Sequence, residues 1–545
     1  MISRRSFGFF GGAKKAVEKA TGGASQPYDV LIVGGGPAGL ALASSLGSSS
    51  HLKSLKIGLI EANSLDGVRH WSSDAYSNRC SSISAANFEY LQRTGALSSL
   101  DTSRISPITN MQVWDGRTDA RITFGRQLDD EDYGAVDKGG STLSYMIENS
   151  NLQKALLHYI ENHTSIDILE SSKISSIDRD NEWPRVSLHS GDSHRTRLLI
   201  GADGFNSPVR KFAEIDSVGW AYDAAGFVST LETQPNTSTS HASHTAFQRF
   251  LPTGPIAYLP LPGTAASMVW STTPQLAKQF KQADARVLTM LINAAFRFRE
   301  DILTTLYNNA SLPYDSFVLL VKQLESAQGI DMTTARCISD GAAEGVPPSD
   351  YDAFPPLVTS IQEGSQASFP LKINHTDGYD ANRAVLVGDA AHSCHPLAGQ
   401  GLNLGLADVQ SLTSVLAEGR RLGGDIGSKT VLSRYTRDRY VANMMMLGAT
   451  DKLNALFQVG ADNPLVQLRS VGLETLNEMD FVKDFFMRQA GTTYGASQGT
   501  PEKSIIADTI QGVGSTITMV SATARQLTAL GQSKVTQLLE DANKR

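Results

Sequence analysis

The sequence predicts an α/β protein: a Rossmann-like dinucleotide-binding domain, a second domain built on an antiparallel sheet, and helices toward the C-terminus. Three observations carry this expectation. A short apolar run, Tyr28–Val33, ends in a glycine cluster and opens into an Ala- and Leu-rich segment. The stretch 221–275 is rich in Thr, Ser, aromatic and β-branched residues, punctuated by Pro252-Thr253-Gly254-Pro255 and Pro262-Gly263, as hairpin strands are. Gly401–Leu416 and the stretch 430–490 read as long helices.

The bulk numbers agree with a folded, multi-domain chain. At 545 residues it exceeds what one core normally holds, so two or three structural units are expected. Hydrophobic residues make up 41% and charged residues 19%, values of a globular rather than a disordered chain. The formal net charge of −7 argues against nucleic-acid binding, which asks for a basic balance. The three cysteines, Cys80, Cys337 and Cys394, form no CxxC pair and no disulfide framework, which favours a reducing compartment. No run of about 18 apolar residues is present, so no membrane-spanning helix is expected.

Taken in order, Tyr28–Val33 reads as a buried parallel strand and Pro37–Leu46 as the helix after it. Lys56–Ile60 is a second strand, closing a βαβ unit with Glu61 at its end. The stretch 142–162 reads as a helix with Leu143, Met146, Ile147 and Leu152 on its apolar side. Leu198–Ile200 is a strand that enters Gly201-Ala202-Asp203-Gly204. Residues 276–340 read as mostly helical, and 341–366, with Gly, Pro, Ser and acids, as a loop or insertion. A buried strand returns at Ala384–Val387.

Three motifs carry the chemistry. Gly34-Gly35-Gly36-Pro37-Ala38-Gly39 fits GxGxxG between a strand and a helix. Gly34 permits a tight turn, Gly36 lets a pyrophosphate reach the backbone, and Gly39 allows close helix–sheet packing. The helix N-terminus then offers unpaired N–H groups to phosphate, and Glu61, 22 residues after Gly39, is placed to accept from a ribose hydroxyl. The second motif is Gly201-Ala202-Asp203-Gly204, with Ser207 and Arg210. Alone, Asp203 reads as a structural cap. The third is Gly388-Asp389-Ala390-Ala391-His392, continuing through Pro396, Gly399, Gly401, Leu402 and Asn403 into a helix. Asp389 can hold a polyol hydroxyl, and the turn to Asn403 can bring backbone N–H groups to an electron-rich ring edge. His392 and His395 read as structural hydrogen-bonders, since no carboxylates stand at metal-ligand spacing beside them.

The order GxGxxG, then DG, then GD resembles the class A flavin hydroxylases, over roughly residues 28–450. That resemblance implies that the dinucleotide is FAD. It implies further that Arg79 of Ser77-Asn78-Arg79 and Gln153 of Asn151-Leu152-Gln153 contact it, that Asp203 lies near the pyrophosphate and that Asp389 binds ribityl or phosphate-side groups. The stretches from Ile147 to Gln153, Gln248 to Leu261 and His395 to Gly405 look like the mitochondrial ubiquinone-biosynthesis ring hydroxylases. The implied activity is transfer of one atom of dioxygen from reduced FAD to the ring of a polyprenylated phenol, at its fifth carbon. No universal catalytic acid or base is implied; the turn Pro396, Gly399, Gly401, Leu402 and Asn403 is the candidate for stabilising the flavin edge. The prenyl tail is expected to follow an apolar channel near Phe250 and Tyr258. Two competing readings are a hydroxylase of a small soluble phenol and a non-catalytic flavin-binding subunit of a quinone-biosynthesis complex.

The same reading divides the chain. The FAD-binding domain takes 28–110, 142–220 and 375–430. The substrate domain takes 111–141 and 221–374, with an insertion near 300–370. A helical region covers 431–495 and a tail 496–545. The first 25 residues hold Arg4, Arg5, Lys14, Lys15 and Lys19 against the single acid Glu18, and read as a mitochondrial transit peptide; an ordinary basic N-terminus is the alternative. The implied location is the matrix side of the inner membrane, as a peripheral protein beside other quinone-biosynthesis subunits. Electrons would come from a ferredoxin and its reductase or from NADPH. Arg420, Arg421, Lys429, Arg434, Arg437 and Arg439, against Asp425 and Asp438, form a basic stretch that could steer an acidic ferredoxin or meet anionic lipid; a solvated helical face is the plainer reading.

Overall fold

A computed structural model describes residues 27–118, 120–125, 142–234, 244–328, 354–395 and 399–458, all within one compact unit. The N-terminal 25 residues, residues 329–353 of the insertion, residues 459–495 of the predicted helical region and the tail from 496 lie outside the described residues.

The strand Tyr28–Val33 is buried along nearly its whole length because sheet neighbours flank it and apolar side chains fill both faces. It pairs in parallel with Ile57–Ile60 on one side and Ser193–Gly201 on the other. Among the described residues this sheet has eight strands, and Asp167–Leu169 and Ala384–Leu386 extend it in parallel. Helices Pro37–Ser48, Asn149–His163 and Gly401–Arg421 supply the Leu, Ile and Val side chains of its core.

A second sheet of nine strands is antiparallel through its centre, where Ser217–Thr233, Ala265–Thr272, Gly254–Pro260 and Thr245–Leu251 follow one another. Asn110–Asp115 joins Thr245–Leu251 in parallel, so chain from before 221 completes this sheet. One face packs on helices Pro274–Gln282, Ala285–Arg297, Glu300–Asn308 and Tyr314–Gln328 through Phe227, Phe247, Tyr258, Trp270, Phe280 and Phe296. The other face looks into a cleft shared with the first sheet.

Several expectations are corrected. The predicted helix over 142–162 is a strand, Ser144–Glu148, followed by the helix Asn149–His163. Met146 and Ile147 are buried on opposite faces of a strand that pairs with Cys80–Ser84, and a short apolar run fits either period. The predicted loop 341–366 contains a strand, Val358–Ile361, held on the edge of Ser217–Thr233. Tyr258 does not line a channel. In Gly254–Pro260 the alternation sends Pro255, Ala257 and Leu259 to the cleft, and Ile256 and Tyr258 to the helix-covered core. Phe250 is on the cleft face, but its ring stacks on Phe457 at 3.7 Å between centroids.

Candidate active site

The glycine loop is held from three sides. Gly34 has φ +109°, which favours glycine, and a Cβ there would strike the Ala202 carbonyl. A Cβ on Gly39 would strike the Gly34 carbonyl, so the helix Pro37–Ser48 can start this close to the sheet only with glycine at that position. Gly35 donates its N–H to Glu61 Oε2 at 2.6 Å, and its carbonyl accepts from Gln153 Nε2 at 3.3 Å. Gly36 differs from its neighbours. Its φ of −71° suits any residue, and a Cβ would meet nothing within 4 Å. The space in front of it is the cleft. This is a cradle that a side chain would fill, and the first turn of a helix with no side-chain cap faces it. What Gly36 requires is therefore space and not a special φ.

Glu61 sits just past the second strand, its carboxylate accepting from Gly35 and from the Asn63 backbone and side chain at 2.9 and 3.0 Å. Oε1 takes both Asn63 bonds, while Oε2, which accepts only from Gly35, keeps a lone pair for a hydroxyl. Arg79 is exposed in the cleft wall, and its carbonyl accepts the Asn149 N–H at 2.9 Å. The loop that carries it is pinned by a pair not anticipated from sequence. Glu148, fully buried, accepts from Arg104 Nε at 2.9 Å and from the Ser77 N–H at 2.6 Å, while Arg104 also holds the Ser73 and Ala75 carbonyls. The partners stand 44 residues apart, so no local pattern announces them.

Asp203 is not among the residues that line the cleft. Its Oδ2 accepts the Val209 N–H at 3.2 Å, at the start of the helix Pro208–Phe212, and burial pushes its carboxyl up. Its neighbours Ala202 and Gly204 line the cleft. Asp203 Oδ2 thus fastens the turn, while its Oδ1 is buried without a hydrogen-bond partner among the described residues.

Asp389 does face the cleft, exposed among walls that strip water and raise its carboxyl despite the nearby His392. The turn that presents it is fastened from beneath by Asp408, a residue the motif analysis passed over. Asp408 Oδ2 accepts the Gly388 N–H at 3.1 Å and bonds His392 Nε2 at 2.6 Å. Its Oδ1 accepts from Arg439 Nε at 2.9 Å and Asn443 Nδ2 at 3.1 Å. Burial alone would raise this carboxyl, but His392, Arg439 and Asn443 together hold it at about 2. His392 is thus a structural partner, and Arg439 is buried here rather than part of a basic surface.

The third wall is the start of the helix Gly401–Arg421. Gln400 precedes it without a side-chain cap, and Gly399, Gly401, Leu402 and Asn403 line the cleft. Pro396 lies outside the described residues. The Asn403 side chain is committed elsewhere: it accepts from the Ser84 N–H at 2.9 Å and donates to the Ser82 carbonyl at 2.8 Å. Only its backbone is left to face a ligand. Gly405 and Ala38 both pack against Gly388, so the first and third motifs touch.

The three motifs and the second sheet enclose about 860 Å³, room for a dinucleotide end and an aromatic ring. Gly36, Arg79, Asp389 and the Gly401 turn line it; Glu61, Gln153 and Asp203 do not, Glu61 and Gln153 holding Gly35 from behind. Among the described residues no group of His, Cys, Asp and Glu could hold a metal ion.

Against known proteins, the family model for an FAD binding domain matches residues 27–300 and 310–449. The ubiquinone biosynthesis monooxygenase COQ6, mitochondrial, of Schizosaccharomyces pombe is 36% identical over 473 residues, covering 85% of this chain and 91% of that protein. The protein of the same name in Saccharomyces cerevisiae is 35% identical over 491 residues, covering 87% and 96%. In Homo sapiens the figures are 34% over 472 residues, covering 84% and 92%. Among solved structures, PqsL from Pseudomonas aeruginosa, a probable FAD-dependent monooxygenase, superposes with a TM-score of 0.55 at 19% identity, covering 82% of this chain and 99% of that one. The p-nitrophenol 4-monooxygenase PnpA from Pseudomonas putida gives 0.56 at 14% identity, covering 86% and 99%. These two likenesses speak to the fold alone.

Proposed function

Because the chain belongs to the family of FAD-dependent ubiquinone-biosynthesis monooxygenases, we propose that it hydroxylates the aromatic ring of a polyprenylated ubiquinone precursor with dioxygen. The observation that carries this reading is the cleft: two uncapped helix starts and the Asp389 turn face an apolar sheet across a space sized for a flavin and a ring.

The residues present fit FAD. Gly36 and the N-terminus of Pro37–Ser48 would take the pyrophosphate, Glu61 a ribose hydroxyl, and Arg79 and Gln153 the flanks of the dinucleotide. Asp389 would hold ribityl hydroxyls, and the Gly401 to Asn403 backbone would meet the flavin edge. Bound FAD supplies, once reduced, the activation of dioxygen for transfer of one atom to a phenol. The protein's part is orientation and exclusion of water. Val228, Ala246, Ala257, Leu259 and Val269 give the cleft an apolar floor on which a ring and a prenyl chain can lie. No side chain is assigned as a catalytic acid or base.

The finer proposals concern partners and place. Electrons would arrive from a ferredoxin and its reductase or from NADPH, and the protein would sit on the matrix side of the mitochondrial inner membrane beside other quinone-biosynthesis subunits. A peripheral position is supported by an exposed apolar cluster, Val218, Trp220, Val441 and Met444. No helix among the described residues is long and apolar enough to cross a membrane. Quinone profiling of a deletion strain tests the function: accumulation of a precursor lacking one ring hydroxyl is expected, restored by the wild-type gene. An unchanged quinone profile would overturn the reading.

A further inference from the structure

The cleft face of the second sheet carries a polar group in an apolar row. Gln248 stands in mid-strand on Thr245–Leu251, directly opposite Ala257 on one side and Val113 on the other. Ala257 is opposite Val269, Val269 opposite Val228, and Val228 opposite Ala367. Directly paired residues share a face of a sheet, so these side chains form one row across neighbouring strands. Gln248 is the polar member of that row. Its side chain lines the cleft with Val228, Ala257, Val269 and Ala367, and the residue is only 5% exposed. No hydrogen bond to its amide is made within the described residues.

An amide aimed into a cleft must find a partner there once a ligand displaces the water, and a floor built for apolar contact alone would carry Leu or Met at this position. A ligand that bonds the amide supplies that partner. Its Oε1 accepts and its Nε2 donates, which matches a phenol hydroxyl that can donate and accept. The row it belongs to, Val113, Ala257, Val269, Val228 and Ala367, offers apolar contact, which matches the ring and prenyl chain.

Building on the hydroxylase reading above, we propose that Gln248 is the polar anchor for the ring oxygen of the aromatic substrate. By fixing that oxygen on the floor of the cleft, it determines which ring carbon faces the Gly388–Asp389 and Gly399–Asn403 wall. It is a positioning and specificity residue and moves no proton. A site that hydrogen-bonds a substrate hydroxyl discriminates strongly against the analogue that cannot reciprocate, because its own buried group is then left unpaired.

The test uses the FAD-loaded protein and two probes, 2-farnesylphenol and its methyl ether, 2-farnesylanisole. Binding is read from the perturbation of the bound flavin's absorbance, which needs no electron donor. Wild-type protein should bind the phenol roughly tenfold tighter than the ether. In Gln248→Met, close in shape and apolar, the two affinities should converge while FAD content stays unchanged. In turnover with the phenol, this variant should release more of the consumed oxygen as hydrogen peroxide. An unchanged phenol-to-ether ratio in Gln248→Met overturns the proposal. Equal affinity of the wild type for the two probes also overturns it, with no variant needed. If wild type discriminates between the probes through Gln248 but forms no hydroxylated ring product when reduced in air, the anchor stands and the hydroxylase reading fails.

Discussion

Glycines at neighbouring positions of one loop do different physical work, and the difference can be measured. Gly34 and Gly39 are demanded by the fold, one by its φ of +109°, both by backbone atoms already standing where a Cβ would go. Gly36 is demanded by a ligand, since its backbone is ordinary and its Cβ position is open. Gly36→Val should therefore fold and purify, with wild-type circular dichroism, but come out colourless. Gly39→Val should fail to fold. A yellow Gly36→Val protein with full flavin content would refute the pyrophosphate assignment. Asp389→Ala removes an exposed carboxylate whose charge-assisted bonds to a polyol are each worth roughly 1.5–3 kcal/mol. It should weaken FAD binding tenfold or more by fluorescence titration, and unchanged affinity would remove Asp389 from the site. Sequence made these residues readable because spacing between a strand and a helix fixes them. Asp408 and Glu148 were unreadable because their partners arrive from other elements. Asn403 was half readable: its position at the helix start was clear, but not the bonds to Ser82 and Ser84 that occupy its side chain.

Elements explain which sequence signals held and which slipped. The first βαβ unit was legible nearly to the residue, because a buried strand, a glycine turn and Pro at the helix start leave one interpretation. The strand Ser144–Glu148 was not, because five residues with adjacent apolar side chains fit a helix as well as a strand until the pairing partner is known. The helix Lys429–Phe457 shows a third case. Its charges were visible, but not that Arg439 and Asn443 turn inward onto Asp408. This inward face has a pH signature. His375 bonds the Tyr379 hydroxyl at 2.7 Å and packs on Tyr440, with His392, Asp408 and Asp377 nearby. Burial, reinforced by His392, pushes His375 down to about 4, and burial does the same to His395. Both are then neutral in the folded state while the unfolded chain takes up protons near pH 6.5. The stability they contribute is fully present above about pH 6.5 and is lost as pH falls toward 4. At pH 5.5 the loss is about 1 kcal/mol for each histidine. Between pH 7.5 and 5.5 Asp408 is ionised in the folded and the unfolded chain alike, so it adds nothing to the change there. Thermal melts at pH 7.5 and 5.5 should show a lower Tm in acid, with a smaller drop in His375→Gln. An equal drop in that variant would remove His375 from the account.

At the scale of the whole molecule, the proposed ligand carries a prenyl chain that makes it nearly insoluble, and one face of the surface has the composition that delivery from a membrane would need. Val218 and Trp220 are 68% and 51% exposed on the strand Ser217–Thr233. They are paired with His375 and Ile373, whose side chains pack on the helix Lys429–Phe457, so all four share that face of the sheet. On the same helix Val441 and Met444 are 52% and 57% exposed, and Arg434 and Arg437 are exposed one and two turns before them. A basic flank followed by an apolar one is the arrangement of a segment that lies on anionic lipid. The basic stretch noted in the sequence thus survives in reduced form: Arg439 is internal and Arg421 is paired with Glu418, but Arg434 and Arg437 stay outward. Burying a large apolar side chain is worth roughly 1.5–3 kcal/mol, so Trp220→Ser with Met444→Ser should weaken binding to cardiolipin-containing vesicles at least tenfold in co-sedimentation. Arg434→Glu with Arg437→Glu should weaken it too, most strongly at low salt, where an exposed charge is least screened. Neither pair touches the cleft, so flavin content and the turnover of a short-chain phenol in detergent should match wild type. If both pairs sediment like wild type, this face does not meet the membrane. If only the arginine pair matters, and it slows flavin reduction by ferredoxin without changing sedimentation, the charges belong to the electron donor instead.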